Sequence, residues 1–290
     1  MSKMRRALSL ARRAQGSVSP NPAVGAVVVK DGSTIGEGWT QPPGGKHAEI
    51  VALDEAGKSA NGAEIYVTLE PCNHHGRTPP CVDAILKAGI SVVHVAVRDP
   101  NAMIEGSGVE RLKEAGIRVL LGERKHEAAS LLEAYIKWIT TGTPFVTVKF
   151  AMSLDGKIAT RDGDSKWITS DRSRRYVHDI RAISDAIMVG INTVLSDDPM
   201  LTARGLKGET LARQPMRVVV DSRLRIPEKS RVLSGPGDVI VASSKAKNGN
   251  IEGGQVVNVP SQDGSVDLLK LLTVLGNDHD VTSVFVEGGA

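Results

Sequence analysis

Apolar positions fall into short runs, separated by glycine, proline and charged breaks, and the runs alternate between two periods. Residues 23–30 (AVGAVVVK) are apolar almost throughout, as in a strand covered on both faces. Asp31–Gly32 is a hairpin signal, and Ser33–Trp39 returns as the partner strand. From His47 to Gly57 the period changes. Ile50, Val51, Leu53 and Ala56 form a helical stripe that Gly57 stops. Ala63–Leu69 and Val92–Val97 read as strands, with a helix over Val82–Ala88 between them. Val109–Ala115 and Arg118–Leu121 repeat helix then strand, and Glu123–Thr140 reads as one longer helix. Met4, Leu8 and Ala11 share one face of an opening helix. The alternation predicts an α/β layout with a central sheet covered by helices.

Thr141–Gly142–Thr143–Pro144 breaks the pattern. A chain of 290 residues is long for one core, so the break predicts two domains, 1–142 and 143–290. The second half is also α/β. It has strands at Phe145–Phe150, Ala186–Val189, Arg217–Asp221, Val239–Ala242 and Ser283–Val286, and a helix near Ser173–Ile183. The glycine-rich stretch Lys247–Gly254 reads as a surface loop.

Charge narrows the partners. Lys and Arg number 36 against 33 Asp and Glu, a net +3, and there is no basic, aromatic-rich stretch, so a nucleic-acid partner is not expected. No apolar run is long enough to span a bilayer, and Arg12 and Arg13 interrupt the only apolar run near the N-terminus. The expectation is a cytoplasmic enzyme with a small-molecule substrate and no membrane partner; a homo-oligomer is compatible with the sequence.

The two cysteines, Cys72 and Cys81, suit metal binding better than a disulfide in that compartment. With His47 they supply one imidazole and two thiolates. That is the three-ligand set of a catalytic zinc that keeps its fourth position open. Glu49, two residues beyond His47 and not itself a ligand, is placed to move protons. His-x-Glu followed by Pro-Cys is a zinc-deaminase signature, although eight residues separate the cysteines here where the signature has two. The competing reading is a structural zinc, with His74 or His75 as fourth ligand and Glu49 without a role.

Residues 68–81 (TLEPCNHHGRTPPC) are very similar to the long cysteine loop of the bifunctional riboflavin-biosynthesis deaminase/reductases. So are Pro20–Gly25, His47–Glu49 and Asp99–Asn101, and in the second half 149–160 (KFAMSLDGKIAT), 165–170, 193–204, 218–222 and 284–290. The resemblance covers the whole chain, and within it the wide cysteine spacing is a family feature. It implies a cytidine-deaminase-like three-layer domain followed by a dihydrofolate-reductase-like α/β domain. The first would hydrolyse the ring amine of a pyrimidine nucleotide, 2,5-diamino-6-ribosylamino-4(3H)-pyrimidinone 5′-phosphate. The second would reduce the ribosyl group to ribityl with NADPH. By resemblance His47, Cys72 and Cys81 hold Zn2+ and Glu49 is the proton donor. Ala151, Trp167, Thr193, Asp197 and Ser222 match cofactor-contacting positions. Ser165, Arg181, Leu201, Arg204 and Glu287 match substrate-contacting ones.

Read from the residues alone, the second set is less specific. Arg181 and Arg204 suit a phosphate, but so would any surface arginine. Trp167 fits a core, and Asp155–Gly156 a plain turn. Gly288 and Gly289 at a strand end fit a phosphate approach, so Gly289 joins the expected cofactor set. No G-x-G-x-x-G follows a strand, so a Rossmann domain is not expected. Asn21, His75 and Arg77 are expected to meet the deaminase substrate; the alternative for Asn21 is a turn residue between prolines. The sequence stops at Ala290, where the family continues. The expectation from that end is an incomplete reductase half that reduces poorly while the deaminase half works.

Overall fold

A computed structural model describes residues 2–74, 79–101, 107–165, 167–245 and 247–288. The chain separates into two compact units, Met1–Thr141 and Gly142–Ala290.

In the first unit the order is α1 (Lys3–Ala14), β1 (Gly25–Lys30), β2 (Ser33–Trp39), α2 (Ala48–Ala56), β3 (Glu64–Leu69), α3 (Cys81–Lys87), β4 (Val92–Val97), α4 (Ser107–Glu114), β5 (Arg118–Leu121), α5 (Lys125–Leu131) and α6 (Glu133–Thr141). The sheet order is β2-β1-β3-β4-β5. β1 runs antiparallel to β2 and β3, whereas β3, β4 and β5 are parallel. Side chains alternate across the pleat. Ala26, Val28, Ile65 and Val67 pack with Ala48 and Ala52 of α2, Val82 and Ile85 of α3, and Val109 and Leu112 of α4. Val27 and Val29 face the other way, against Met4, Ala7 and Leu8 of α1 and Ala128 of α5. Helices on both faces make three layers. The single helix expected over Glu123–Thr140 is two, because Leu132 leaves helical geometry (φ −98°, ψ 8°) between α5 and α6.

The second unit contains β6 (Phe145–Lys149), α7 (Asp171–Ile183), β7 (Ala186–Gly190), α8 (Ile191–Asp197), β8 (Met216–Val220), β9 (Val239–Ser243), β10 (Gly249–Ile251), β11 (Gly254–Asn258), α9 (Leu268–Asp278) and β12 (Ser283–Glu287). Its sheet order is β10-β11-β9-β8-β7-β12-β6, parallel except for the β10–β11 hairpin. Central strands of a parallel sheet are covered on both faces and are apolar throughout. Met188, Val218, Ile240 and Val284 pack beneath Leu271 and Leu275 of α9. Ile187, Val189, Val219 and Val241 pack with Val194 of α8 and with Leu201. Residues 247–254, expected to be a loop, include the edge strand β10 and the start of β11. Three residues with two exposed positions carry too little periodicity to distinguish an edge strand from a loop.

Close backbone approaches at Gly36 and Gly38 of β2, against the carbonyl oxygens of Ala52 and Ala48, decide where α2 lies. A Cβ on Gly38 of β2 would sit 2.2 Å from the carbonyl oxygen of Ala48, the first residue of α2. Only a residue without a side chain lets that helix start rest on the sheet. Gly38→Ala is expected to destabilise the first unit by about 1–3 kcal/mol through overpacking. The lowered midpoint of its denaturant unfolding checks this; an unchanged midpoint would show that the helix start can move freely.

Candidate metal centre and reductase cavity

His47 is the residue before the first turn of α2, Cys72 follows β3, and Cys81 opens α3. The three ligand atoms lie within 4.8 Å of one another. His47 Nδ1 is 3.2 Å from Cys81 Sγ and 3.6 Å from Cys72 Sγ. Tetrahedral zinc, with bonds of about 2.3 Å to sulfur and about 2.0 Å to nitrogen, sets nitrogen-to-sulfur edges of about 3.5 Å. The donor set and its spacing therefore fit zinc. Among the described residues His74 is not part of the cluster, which leaves three protein ligands. His75 and Arg77 lie outside the described residues.

Electrostatics supports a thiolate here. The Cys81 thiol and its backbone N–H (3.3 Å) both donate to Cys72 Sγ. With help from His47 they hold the Cys72 thiol down at about 4, against the opposing effect of burial. Cys81 moves the other way, because it donates to Cys72 and is itself buried. The same contact with Cys72 raises His47. Glu49 is 4% exposed. Burial, reinforced by the negative charge on Cys72, pushes its carboxyl up to about 7. An acid that is half-protonated near neutral pH can both give and take a proton.

The loop carrying Cys72 is pinned by residues that sequence reasoning did not single out. Glu70, 3% exposed, accepts hydrogen bonds from the backbone N–H groups of Asp99 (3.3 Å) and Val109 (3.0 Å). A Cβ on Gly108 would lie 2.1 Å from the Pro71 carbonyl oxygen, so α4 abuts the turn just before Cys72. Buried Asp99 accepts from the Asn101 N–H (2.9 Å) and from the Tyr135 hydroxyl (3.0 Å), which ties α6 to the same corner. The one available signal was the glutamate directly before Pro71–Cys72. Asn21 is exposed, in the turn before β1.

In the second unit a cavity of about 520 Å³ opens among β6, α7, the β7–α8 turn and the end of β12. Ala151, Ser165, Trp167, Arg181, Thr193, Asp197, Leu201, Arg204 and Glu287 all line it. Ser222 is not among the lining residues. Its hydroxyl accepts from the Val266 N–H at 3.1 Å. Gly289 lies outside the described residues. Glu287, the last residue of β12, receives Arg181 Nε at 2.5 Å and Nη2 at 3.0 Å, while Arg181 Nη1 donates to the Thr202 carbonyl at 3.0 Å. That bidentate pair commits the Arg181 fork to the protein. Lys149 Nζ stands 3.8 Å from Glu287 Oε2. Arg204 makes longer contacts, 3.3 Å to Thr202 Oγ1 and 3.4 Å to Met200 Sδ. Trp167 is 72% exposed, with the Arg174 guanidinium 4.4 Å from the centre of its ring. Leu201 holds φ at +54°, strained for a branched residue, at the cavity wall. Lys149, Arg174 and His178 line the cavity without having been singled out. His178 was legible from its place one turn before Arg181 on the predicted helix. Burial and the neighbouring Arg181 push it below its ordinary range. The volume suits one organic cofactor or substrate group. Its cations suit phosphate, and the exposed indole face offers a stacking surface, so the lining fits NADPH.

Residues 144–290 match the RibD C-terminal domain family. Residues 2–97 match the cytidine and deoxycytidylate deaminase zinc-binding region. The riboflavin biosynthesis protein RibD of Aquifex aeolicus is 47% identical over 249 residues, 86% of this chain and 69% of its own length. That of Escherichia coli K12 is 43% identical over 296 residues, 99% of this chain and 80% of its own. This chain belongs to the RibD family. The crystal structure of a diaminohydroxyphosphoribosylaminopyrimidine deaminase/5-amino-6-(5-phosphoribosylamino)uracil reductase from Thermotoga maritima superimposes with a TM-score of 0.89 at 43% identity, covering 99% of this chain and 80% of that one. RibD of Acinetobacter baumannii gives 0.89 at 41% identity with the same coverage. The chain is thus a bifunctional enzyme of riboflavin biosynthesis, a zinc-dependent deaminase joined to an NADPH-dependent reductase. Its substrates are small molecules, and no helix among the described residues is long and apolar enough to cross a membrane.

Glu70→Ala would orphan two buried backbone N–H groups, at about 1–3 kcal/mol each. Chemical unfolding of the first unit is expected to shift to lower denaturant by a corresponding amount. No shift would show that water replaces the carboxylate at no cost.

Proposed function

We propose that the first unit hydrolyses the ring amine of 2,5-diamino-6-ribosylamino-4(3H)-pyrimidinone 5′-phosphate, and that the second then reduces the ribosyl group of the product to ribityl. The observation that carries this reading is the His47–Cys72–Cys81 cluster with buried Glu49 beside it, in a chain of this family. His47, Cys72 and Cys81 hold zinc, which when bound supplies the Lewis acidity that makes water a nucleophile near neutral pH. Glu49 takes one proton from the attacking water and delivers it to the ring nitrogen, then takes the remaining proton of the hydroxyl added to the ring carbon and passes it to the leaving amine, so that water and amine become carbonyl and ammonia. Its burial suits the task, since a carboxyl near 7 costs little to charge or discharge. His75 and Arg77 meet the ribose phosphate of this substrate, and Asn21 hydrogen-bonds its pyrimidine or ribose.

In the second unit NADPH, when bound, supplies the hydride. Ala151, Trp167, Thr193, Asp197, Ser222 and Gly289 serve the cofactor. Ser165, Arg181, Leu201, Arg204 and Glu287 serve the substrate. The geometry supports a division of labour among them. Arg181 holds the Glu287 carboxylate in place, and Arg204, whose donors are less committed, receives the phosphate. The 1–142 and 143–290 boundary assigns the deaminase and reductase to separate units. The compartment is the cytoplasm, where paired thiols stay reduced for metal binding.

The test follows ammonia and NADPH separately in the full, zinc-loaded chain. Ammonia is expected from the diaminopyrimidinone phosphate without NADPH, and NADPH oxidation only after ammonia has formed. Absence of ammonia would sink the reading. Glu49→Gln isolates the proton carrier: kcat for ammonia release is expected to fall by about 10²–10⁴ with zinc content unchanged. Loss of zinc along with activity would assign Glu49 to holding the metal site together.

A further inference from the structure

His178, on α7, lines the reductase cavity one turn before Arg181. No role in the cofactor or substrate sets falls to it. Its Nδ1 is buried and has no hydrogen-bond partner among the described residues. Burial, and then the positive charge of Arg181, hold the ring below its ordinary range, so it is mostly uncharged at neutral pH. An uncharged imidazole has one N–H and one lone pair. The wall provides for the first, because the Thr202 backbone carbonyl favours a proton on the ring. Among the described residues it provides no donor for the lone pair. Arg181 is one turn away, but its fork is committed to Glu287 and its Nη1 to the Thr202 carbonyl. A histidine kept for packing alone would have its polar atoms paired within the protein. His178 instead borders an open cavity with an acceptor unused.

The charged groups around the ring fix which part of a ligand meets it. Arg181 of α7, Arg204 and Glu287 at the end of β12 all act on His178, and Lys149 and Arg174 line the same cavity. Arg204 receives the substrate's phosphate in the reading above, and the inference rests on that reading. Arginine and lysine only donate, and the Glu287 carboxylate already serves the Arg181 fork. A sugar hydroxyl beside the phosphate therefore finds its free acceptor at His178. Apart from the ester oxygen, the sugar oxygen nearest the phosphate along the chain is O4′. In the closed ribosyl ring O4′ carries no proton; on opening it becomes a hydroxyl. Opening breaks the C1′–O4′ bond, makes a C1′=N bond to the nitrogen that carries the ribose, and moves that nitrogen's proton to O4′, so atoms and charge balance. The hydride that NADPH supplies then adds to C1′, and a proton from water to the nitrogen. We propose that His178 accepts a hydrogen bond from the 4′-hydroxyl released when the substrate's ribose opens, and so binds the opened chain in preference to the ring. An interaction made only after opening lowers the barrier to reduction, where uniform binding would tighten the substrate alone.

The experiment measures, in the full zinc-loaded chain, how two sugar phosphates inhibit NADPH oxidation with the deaminated substrate. Ribitol 5-phosphate is an open chain and carries the hydroxyl in question. Methyl ribofuranoside 5-phosphate is locked as the ring and lacks it. Wild type is expected to bind ribitol 5-phosphate more tightly. His178→Ala, and His178→Phe, which keeps the bulk of a ring without its nitrogens, should weaken ribitol 5-phosphate about fivefold, the effect of losing one hydrogen bond, and leave the ring-locked ligand unchanged. His178→Gln returns an acceptor and should recover part of the preference. The kcat for reduction should fall in the same order as the preference. Equal inhibition by the two ligands in wild type overturns the proposal. So does equal weakening of both in the variants, which would mark His178 as a brace for Thr202 and Arg204. Should His178→Ala not fold, His178→Phe decides, and a preference equal to wild type overturns the proposal. If wild type oxidises no NADPH with the deaminated substrate, the reductase reading falls and the proposal with it. Oxidation with a preference indifferent to His178 overturns only the role given to this residue.

Discussion

Two backbone approaches hold the metal cluster in register: the start of α2 against β2 at Gly38, and α4 against the Pro71 carbonyl at Gly108. The first sets where His47 and Glu49 stand. The second, with the Glu70 carboxylate, sets where Cys72 stands. Neither approach tolerates a side chain. Because interiors are close-packed and yield little, ligand positions held this way do not drift. The cluster's chemistry follows from that rigidity. A thiolate, an imidazole and a carboxyl are forced together in a site from which water is largely excluded, so each alters the others' proton affinity. Glu49 is raised by burial and by the Cys72 charge, and Cys72 is lowered by its donors. Deamination needs an acid and base of about neutral strength, and burial tunes Glu49 towards it.

The second unit solves a different problem. Its cavity must receive anionic groups without collapsing around its own charges. Glu287 and Arg181 satisfy each other as a bidentate pair, with Lys149 nearby, so the carboxylate at the end of β12 is held in one orientation. Arg204 is held more loosely, by a hydroxyl and a thioether. Cations with spare donors can bind a phosphate without first breaking an internal pair.

How legible these features are in the sequence depends on how local their causes are. His47, Glu49, Cys72 and Cys81 are readable because zinc demands particular donor types, and the strands that bring them together show in apolar periodicity. Glu70, Asp99 and Tyr135 are not, since a buried hydrogen-bond network joining residues up to 39 positions apart leaves no periodic trace. Gly38 and Gly108 look like ordinary strand and helix glycines until the neighbouring backbone is in place. The break at Leu132 escapes because apolar spacing runs through it on both sides. The strand over 249–251 escapes because it is short, exposed and at an edge. Residues 268–278 (LLKLLTVLGND) form α9, an apolar run that was not assigned as a helix. In the reductase half the family resemblance brought nine expected residues to one cavity, while Ser222 is bound to Val266. Residue type alone could not have separated the committed Arg181 from the available Arg204.

The central claim is that the first unit carries a three-ligand zinc with an open fourth position. Zinc K-edge X-ray absorption on the full, metal-loaded chain addresses it directly. The account predicts two sulfur neighbours at about 2.3 Å and two light neighbours at about 2.0 Å, only one of which shows imidazole scattering. Two imidazoles beside the two sulfurs would mean a closed structural site and would contradict it.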